Sequence, residues 1–296
     1  MDEVDQLGGP WWRRVVDFPL ITLLVAFVIY FAGVTAAVLL NQFVVPPIPL
    51  LTRTMRFEII AAVILVVLYK LTIRHLGADK RDDLRLAGAG KLLTLGLLAG
   101  LVLFSLIVAA AAILGVYHVA GEGDSKELLA AVITSAIFPA ISEELMFRGI
   151  LFRWIEEFGG SWVALLLTSI LFGAIHLKNP DSSVIAAVFI AFEAGIMLGA
   201  AYMLTRSLWL PMGIHAAWNF AQGEIYDIPV SGTPVHGLLD ARLTGAPLLT
   251  GNGFGLEASL IAMVGATLFG FWLLWLAIRQ GQLIAPWWVR RRAASA

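Results

Sequence analysis

An all-α, polytopic transmembrane bundle is the fold class this sequence predicts, and three observations predict it. The 296 residues are 59% hydrophobic and only 14% charged, where a soluble domain runs nearer a quarter charged. Mean hydropathy is +0.86, and apolar runs of about 17 residues or more recur along most of the length, long enough for membrane helices and too continuous for barrel strands. The charge is sorted into the loops between those runs, so the net value of −1 says little about partners. The chain has no cysteine, which excludes a disulfide framework, a thiolate nucleophile and a Cys-ligated metal.

Taken in order, the apolar runs predict eight spans, at about 20–42, 57–74, 92–116, 127–147, 161–178, 183–204, 207–222 and 257–279. The first run shows no convincing cleavage site and reads as an uncleaved span. Short loops are punctuated by Pro46-Pro47, Gly121-Glu122-Gly123, Gly159-Gly160 and Asn179-Pro180. The stretch 223–255, rich in Gly and Pro, is the one sizeable extramembrane loop of the second half. No repeat and no separate soluble segment interrupts the pattern, so residues 1–296 are expected to form one integral domain. Gly195 and Gly199 offer a small-residue face for close helix contact in the sixth span.

Lys and Arg counts set the expected orientation. With both ends cytoplasmic, the inner loops hold fourteen basic residues (Arg13, Arg14, Arg74, Lys80, Arg81, Arg85, Lys91, Arg148, Arg153, Arg206, Arg279, Arg290, Arg291, Arg292) against five outside (Arg53, Arg56, Lys126, Lys178, Arg242), with Lys70 left inside the second span. Trp11, Trp12, Trp287 and Trp288 flank the terminal arginines as interfacial anchors should. The expected location is the inner (plasma) membrane, multi-pass, with both termini cytoplasmic.

Polar residues inside apolar spans carry the functional information, because a charge at the bilayer centre costs roughly 2.5–3.5 kcal/mol on insertion scales. Glu143, Glu144 and Arg148 close the fourth predicted span. Glu144 and Arg148 are i,i+4 neighbours in the favoured acid-then-base order, which leaves Glu143 as the odd carboxylate. A desolvated carboxylate suits a general base near neutrality; a charged cluster snorkelling to the interface is the competing reading. Phe172 and His176 lie one turn apart in the fifth span, where a lone histidine is more often a helix-packing hydrogen bonder. His215 and Asn219 share a face of the seventh span beside Trp218, and both can donate to a developing oxyanion; helix-packing glue is the alternative. Together these side chains have the chemistry of a hydrolytic site. Glu193 and Glu257 have no assigned role, although Glu257 could cap a helix turn or reach the site. His75, His118 and His236 read as interface or loop residues.

Absences narrow the chemistry. There is no His-Glu-x-x-His zinc motif and no Gly-x-Ser-x-Gly elbow. Gly121-Glu-Gly-Asp124 and Tyr226-Asp227 superficially suggest an intramembrane aspartyl pair, but they fall in loops and in reversed order. No basic, aromatic-interleaved surface points to nucleic acid.

The three signatures in this order resemble the CPBP family of intramembrane proteases, which includes type II CAAX prenyl endopeptidases and bacteriocin-processing enzymes. Its pattern Glu-Glu-x-x-x-Arg, Phe-x-x-x-His, His-x-x-x-Asn is met by Glu143, Glu144 and Arg148, by Phe172 and His176, and by His215 and Asn219, within 127–222. The flanks Phe147-Arg-Gly149 and Ser207-Leu-Trp-Leu-Pro211 are also similar. The resemblance implies hydrolysis of a peptide bond in a membrane-associated protein or peptide, within lipid. Glu143 with His176 would activate water, His215 with Asn219 would stabilise the oxyanion, and Glu144, Arg148 and Phe172 would support them. Members are often named metalloproteases. Glu143, His176 and His215 could ligate zinc as readily as polarise water directly, and the metal-free version is preferred. Convergence requires the fourth helix to run past Arg148 toward Glu157, or the fifth to begin late or tilt; the first option is preferred and would place Arg148 inside the protein. An ion-coupled transporter using Glu143, Glu193 and the histidines, or a non-catalytic immunity or scaffold protein, are the rival functions; no inverted repeat supports the transporter.

Overall fold

The computed structural model describes residues 11–124 and 126–294, with the side chains of Trp11, Trp12, Arg14 and Ala294 outside the described set. All eight predicted spans fall on helices: α1 (Pro19–Phe43), α2 (Arg53–Leu71), α3 (Ala89–Ile113), α4 (Leu128–Gly159), α5 (Ser161–Lys178), α6 (Val184–Thr205), α7 (Trp209–Phe220, continuing as a π turn through Ala221–Ile225) and α8 (Leu260–Arg279). Among the described residues six of these, all but α2 and α7, are long and apolar enough to cross a membrane, so the count of eight spans is approximate. The protein is a helical, multi-pass membrane bundle.

Local chemistry fixes the helix edges. Pro19 opens α1, where its missing N–H costs nothing. Thr52, Ser183 and Ser259 cap α2, α6 and α8 by accepting from the backbone N–H groups of Met55, Ala186 and Ala262. Between α4 and α5 the chain turns on Gly160 at φ 83°, where a Cβ would sit 2.9 Å from the Ile284 carbonyl oxygen.

The bundle is layered from lipid to core. Under a quarter of the most apolar stretch of α1 is buried within the protein, against over half of that of α6, so α1 is peripheral and α6 central. Exposed Leu24, Val28, Leu106, Leu166 and Leu268 form part of the lipid-facing surface. Small residues seat the inner helices: a Cβ on Gly96 or Gly100 of α3 would meet the Leu210 or Ile214 carbonyl of α7 at 2.4 and 2.3 Å. The expected Gly195 and Gly199 face does pack closely, against Ser169 and Leu165 of α5. These contacts hold α7, α6 and α5 around a common centre.

Two elements depart from the sequence reading. The fourth span, expected at 127–147, is one helix of 32 residues, about 48 Å long at 1.5 Å per residue and so longer than the roughly 30 Å hydrocarbon core. The extension past Arg148 toward Glu157 is therefore present. The all-α reading places no strand in the loops, yet β1 (Tyr117–Glu122) pairs antiparallel with β2 (Leu239–Leu243). The pairing sets these two loops side by side.

Candidate active site

The three sequence signatures meet at the centre of the bundle. The element that brings them together is α4, whose helix is interrupted by π turns at Val132–Ile137 and Leu145–Phe152, on either side of Glu143 and Glu144. A further π turn at Ala191–Gly195 of α6 carries Glu193. Such bulges cluster at functional sites because the extra residue re-aims side chains and loosens the hydrogen-bond ladder.

Glu144 and Arg148 are fully buried and paired, Arg148 Nη1 donating to Glu144 Oε1 at 2.9 Å. Arg148 Nη2 donates to the Ala194 and Gly195 carbonyls at 3.2 and 3.4 Å, at the end of the π turn of α6. The guanidinium also stacks over Phe172, 4.8 Å from the ring centre, which supplies cation–π attraction. The expectation that Arg148 lies inside the protein rather than snorkelling is met. Glu144 Oε1 lies 3.0 Å from His215 Nδ1 as well. Because Glu144 is ion-paired it accepts, so the proton sits on Nδ1 and leaves Nε2 to act elsewhere.

His176, at the end of α5, lies 2.7 Å from its own helix's Phe172 carbonyl through Nδ1. A carbonyl can only accept, so this nitrogen also carries the proton and Nε2 is the free acceptor. His176, His215, Asn219 and Phe172 line one polar cavity of about 30 Å³ together with Glu193, Ser231 and Glu257, room for a water-sized group. Asn219 spends one amide hydrogen on the Ser135 carbonyl at 2.8 Å, leaving the other available.

Glu143 is placed differently from the rest. It is half-buried and is not among the cavity-lining residues. One carboxylate oxygen, Oε2, is buried without a hydrogen-bond partner. The group stands within electrostatic reach of His215, Arg148 and Tyr30. Glu144 Oε2 and Glu193 Oε2 are likewise unpartnered. Orphaned buried acceptors call for an explanation, and a site that takes up protons or donors from substrate provides one. Among the described residues no three His, Asp or Glu side chains gather as a metal-binding group, so Glu143, His176 and His215 do not fit a zinc centre in this arrangement.

Two of the lining residues come from beyond α7. Ser231 and Glu257 reach the cavity because the Gly- and Pro-rich stretch 223–255 folds inward: the Ser231 N–H donates to Glu257 Oε1, and Gly232 N–H donates to the Phe254 carbonyl at 2.8 Å. Gly255 permits this at φ 114°, where a Cβ would lie 2.0 Å from the Pro229 carbonyl oxygen. Glu257 takes the second of the two roles its position offers, reaching the site; nothing in the sequence points to Ser231.

Residues 125–221, about a third of the chain, match the family described as type II CAAX prenyl endopeptidase Rce1-like. The motif-bearing segment is Rce1-like. A protein of Bacillus subtilis strain 168 named "Putative membrane peptidase YdiL" is 26% identical over 149 residues, covering 47% of this chain and 57% of that relative. The chain thus spans little more than half the length of the curated relative it matches. No solved structure matches the chain.

Proposed function

We propose that the protein is an intramembrane endopeptidase that hydrolyses a peptide bond in a membrane-associated protein or peptide without a metal. The observation that carries this reading is the convergence of His176, His215 and Asn219 on one buried polar cavity, with His215 held from behind by the Glu144–Arg148 pair. The Rce1-like match over 125–221 and the similarity to a protein named as a membrane peptidase support it.

In this reading Glu143 accepts a proton from water while His176 Nε2 orients the same molecule, and the oxygen adds to the scissile carbonyl. The oxyanion that forms is met by the remaining amide hydrogen of Asn219 and by His215. A neutral His215 protonated on Nδ1 offers only an acceptor at Nε2; it donates there once it is doubly protonated, with Glu144 as its counter-ion. Collapse of the tetrahedral intermediate breaks the C–N bond and returns the proton to the leaving amine. We place the protein in the plasma membrane with both termini cytoplasmic. Arg148 and Arg153 of the inner count are buried in α4 and Arg56 of the outer count in α2; without them the basic residues stand at twelve against four.

The decisive experiment is Glu143→Gln, which keeps shape and polarity and removes the base. Cleavage of a membrane-anchored peptide by the purified, folded variant should fall by about 10²–10⁴-fold; undiminished cleavage removes Glu143 from the role of base, and absence of cleavage by the wild type sinks the peptidase reading. Wild-type activity should also survive prolonged dialysis against a chelator, and loss restored by added Zn²⁺ would reverse the metal-free assignment.

A further inference from the structure

The proposed hydrolytic groups use only part of the cavity. Its remaining wall holds two acids from distant parts of the chain: Glu193 on the π turn of α6, and Glu257 on the short turn Leu256–Ala258 ahead of α8. Glu193 is 1% exposed and its Oε2 has no hydrogen-bond partner. Glu257 is 7% exposed, is pinned by the Ser231 N–H, and stands within electrostatic reach of both Glu193 and His176. No Lys or Arg lines the cavity. The nearby Arg148 guanidinium is committed to Glu144, two backbone carbonyls and the Phe172 ring.

Two carboxylates facing one desolvated space cannot both ionise without a cation or a shared proton between them. The cavity offers spare acceptors, the unpartnered Oε2 of Glu193 and the unprotonated Nε2 of His176, beside a Glu257 carboxylate already held by Ser231 and Gln222. Its volume of about 30 Å³ admits a water-sized group. An ammonium is a compact point charge with three donors, whereas a guanidinium is a planar fork of five, so the space selects the former. Met197, Leu198 and Trp218 line the same cavity and provide apolar surface for the methylene stem that such a group would trail.

We propose that the Glu193–Glu257 wall is a subsite for a primary ammonium on the substrate, either a lysine side chain beside the scissile bond or a free amino terminus. That this ammonium belongs to a cleaved peptide rests on the peptidase reading above; that the wall binds an alkylammonium does not.

The test uses the full chain purified in detergent and fluorogenic peptides anchored by an alkyl amide at the carboxyl end. One peptide is amino-terminally acetylated and carries Lys next to the scissile bond, a second replaces that Lys by norleucine, and a third has a free amino terminus and no Lys. Loss of a desolvated charge partner predicts that the acetylated norleucine peptide is cleaved at least about tenfold less efficiently than whichever cationic peptide is the true fit. The other two peptides identify the source of the ammonium. Glu193→Gln and Glu257→Gln should each move that ratio toward one. In parallel, calorimetry should show saturable binding of n-butylammonium by the wild type and none of n-butanol, with weaker ammonium binding in either variant. A ratio near one in cleaved peptides, or equal behaviour of the amine and the alcohol, overturns the subsite. Ammonium binding without cleavage of any peptide supports the subsite and sinks the peptidase reading instead.

Discussion

Arg148 and Arg153 stand five residues apart on α4, both buried and both charged, yet they sit in clusters of opposite character. Around Arg153 every strong acceptor is taken, although its own Nε is buried without a partner. Asp83 Oδ2 receives the Tyr69 and Tyr202 hydroxyls at 2.9 and 3.2 Å, and Oδ1 receives Arg81 Nε at 2.9 Å. Arg153 itself donates to the Asp79 and Arg81 carbonyls at 2.6 and 3.1 Å. The result ties the 72–88 loop across α2, α4 and α6. Around Arg148, by contrast, Glu143, Glu144 and Glu193 each keep one buried oxygen unpartnered, beside a cavity. A saturated network rigidifies a fold, and an unsaturated one that opens on a cavity is positioned to act on something else. Burial and charge alone do not separate the two roles; the state of the spare acceptors does.

The comparison breaks most visibly if the saturated cluster is cut. Asp83→Ala strands Arg153 and deprives two tyrosine hydroxyls of their acceptor, and breaking a buried pair from one side costs about 3–5 kcal/mol. Thermal melts in detergent should show a large fall in stability and reduced folded yield. A variant as stable as the wild type would show that the cluster does not anchor the loop.

Cutting the unsaturated cluster should do the reverse. Asn219→Ala removes one candidate oxyanion donor and should lower turnover on the order of 10²–10³-fold. Its structural cost is limited to one hydrogen bond to the Ser135 carbonyl, about 1 kcal/mol. Steady-state cleavage and thermal melts on the same preparation separate these effects. A loss of stability with unchanged turnover would move Asn219 into the structural class.

This division also explains what the sequence made readable. Polar side chains within apolar runs stand out at once, so Glu144, Arg148, His176, His215 and Asn219 could be singled out before their geometry was known, and the i,i+4 spacing foretold the Glu144–Arg148 pair. Arg153 was misassigned to a loop because a basic residue near a helix end normally snorkels; here Asp83, in a loop, folds back to meet it. Lys70, left inside the second span, similarly reaches Asp82 at 2.5 Å. Ser231 and the β1–β2 ribbon were not readable, since they depend on long-range closure of a loop whose course is set by left-handed glycines such as Gly232 and Gly255. The Gly96–Gly100 face was missed although its two glycines stand four apart, in a run, 92–116, whose only polar residues are Thr94 and Ser105.

The smallest effect tests the rim of the saturated cluster, where solvent begins to screen. Asp82 lies outside the spans and carries Lys70 at 2.5 Å and Arg74 at 2.9 Å on the same oxygen. Partial burial alone would raise its carboxyl, but the hydrogen bonds from Lys70 and Arg74 outweigh this and hold it below the usual carboxylate range. A carboxylate lowered on folding stabilises the native state above its unfolded value, about 3.9, and loses that contribution as the pH falls through the lower folded value. Because the side chains at this rim retain about a quarter to a third of their exposure, the contribution should stay within roughly 1 kcal/mol. Asp82→Asn should therefore lower the Tm by a few degrees or less near pH 7, and the gap from the wild type should close on acidification from about pH 4 downward. A gap that stays constant across that range would mean that Asp82 acts through shape or neutral hydrogen bonding, and that the anchor's ionic character ends at Asp83.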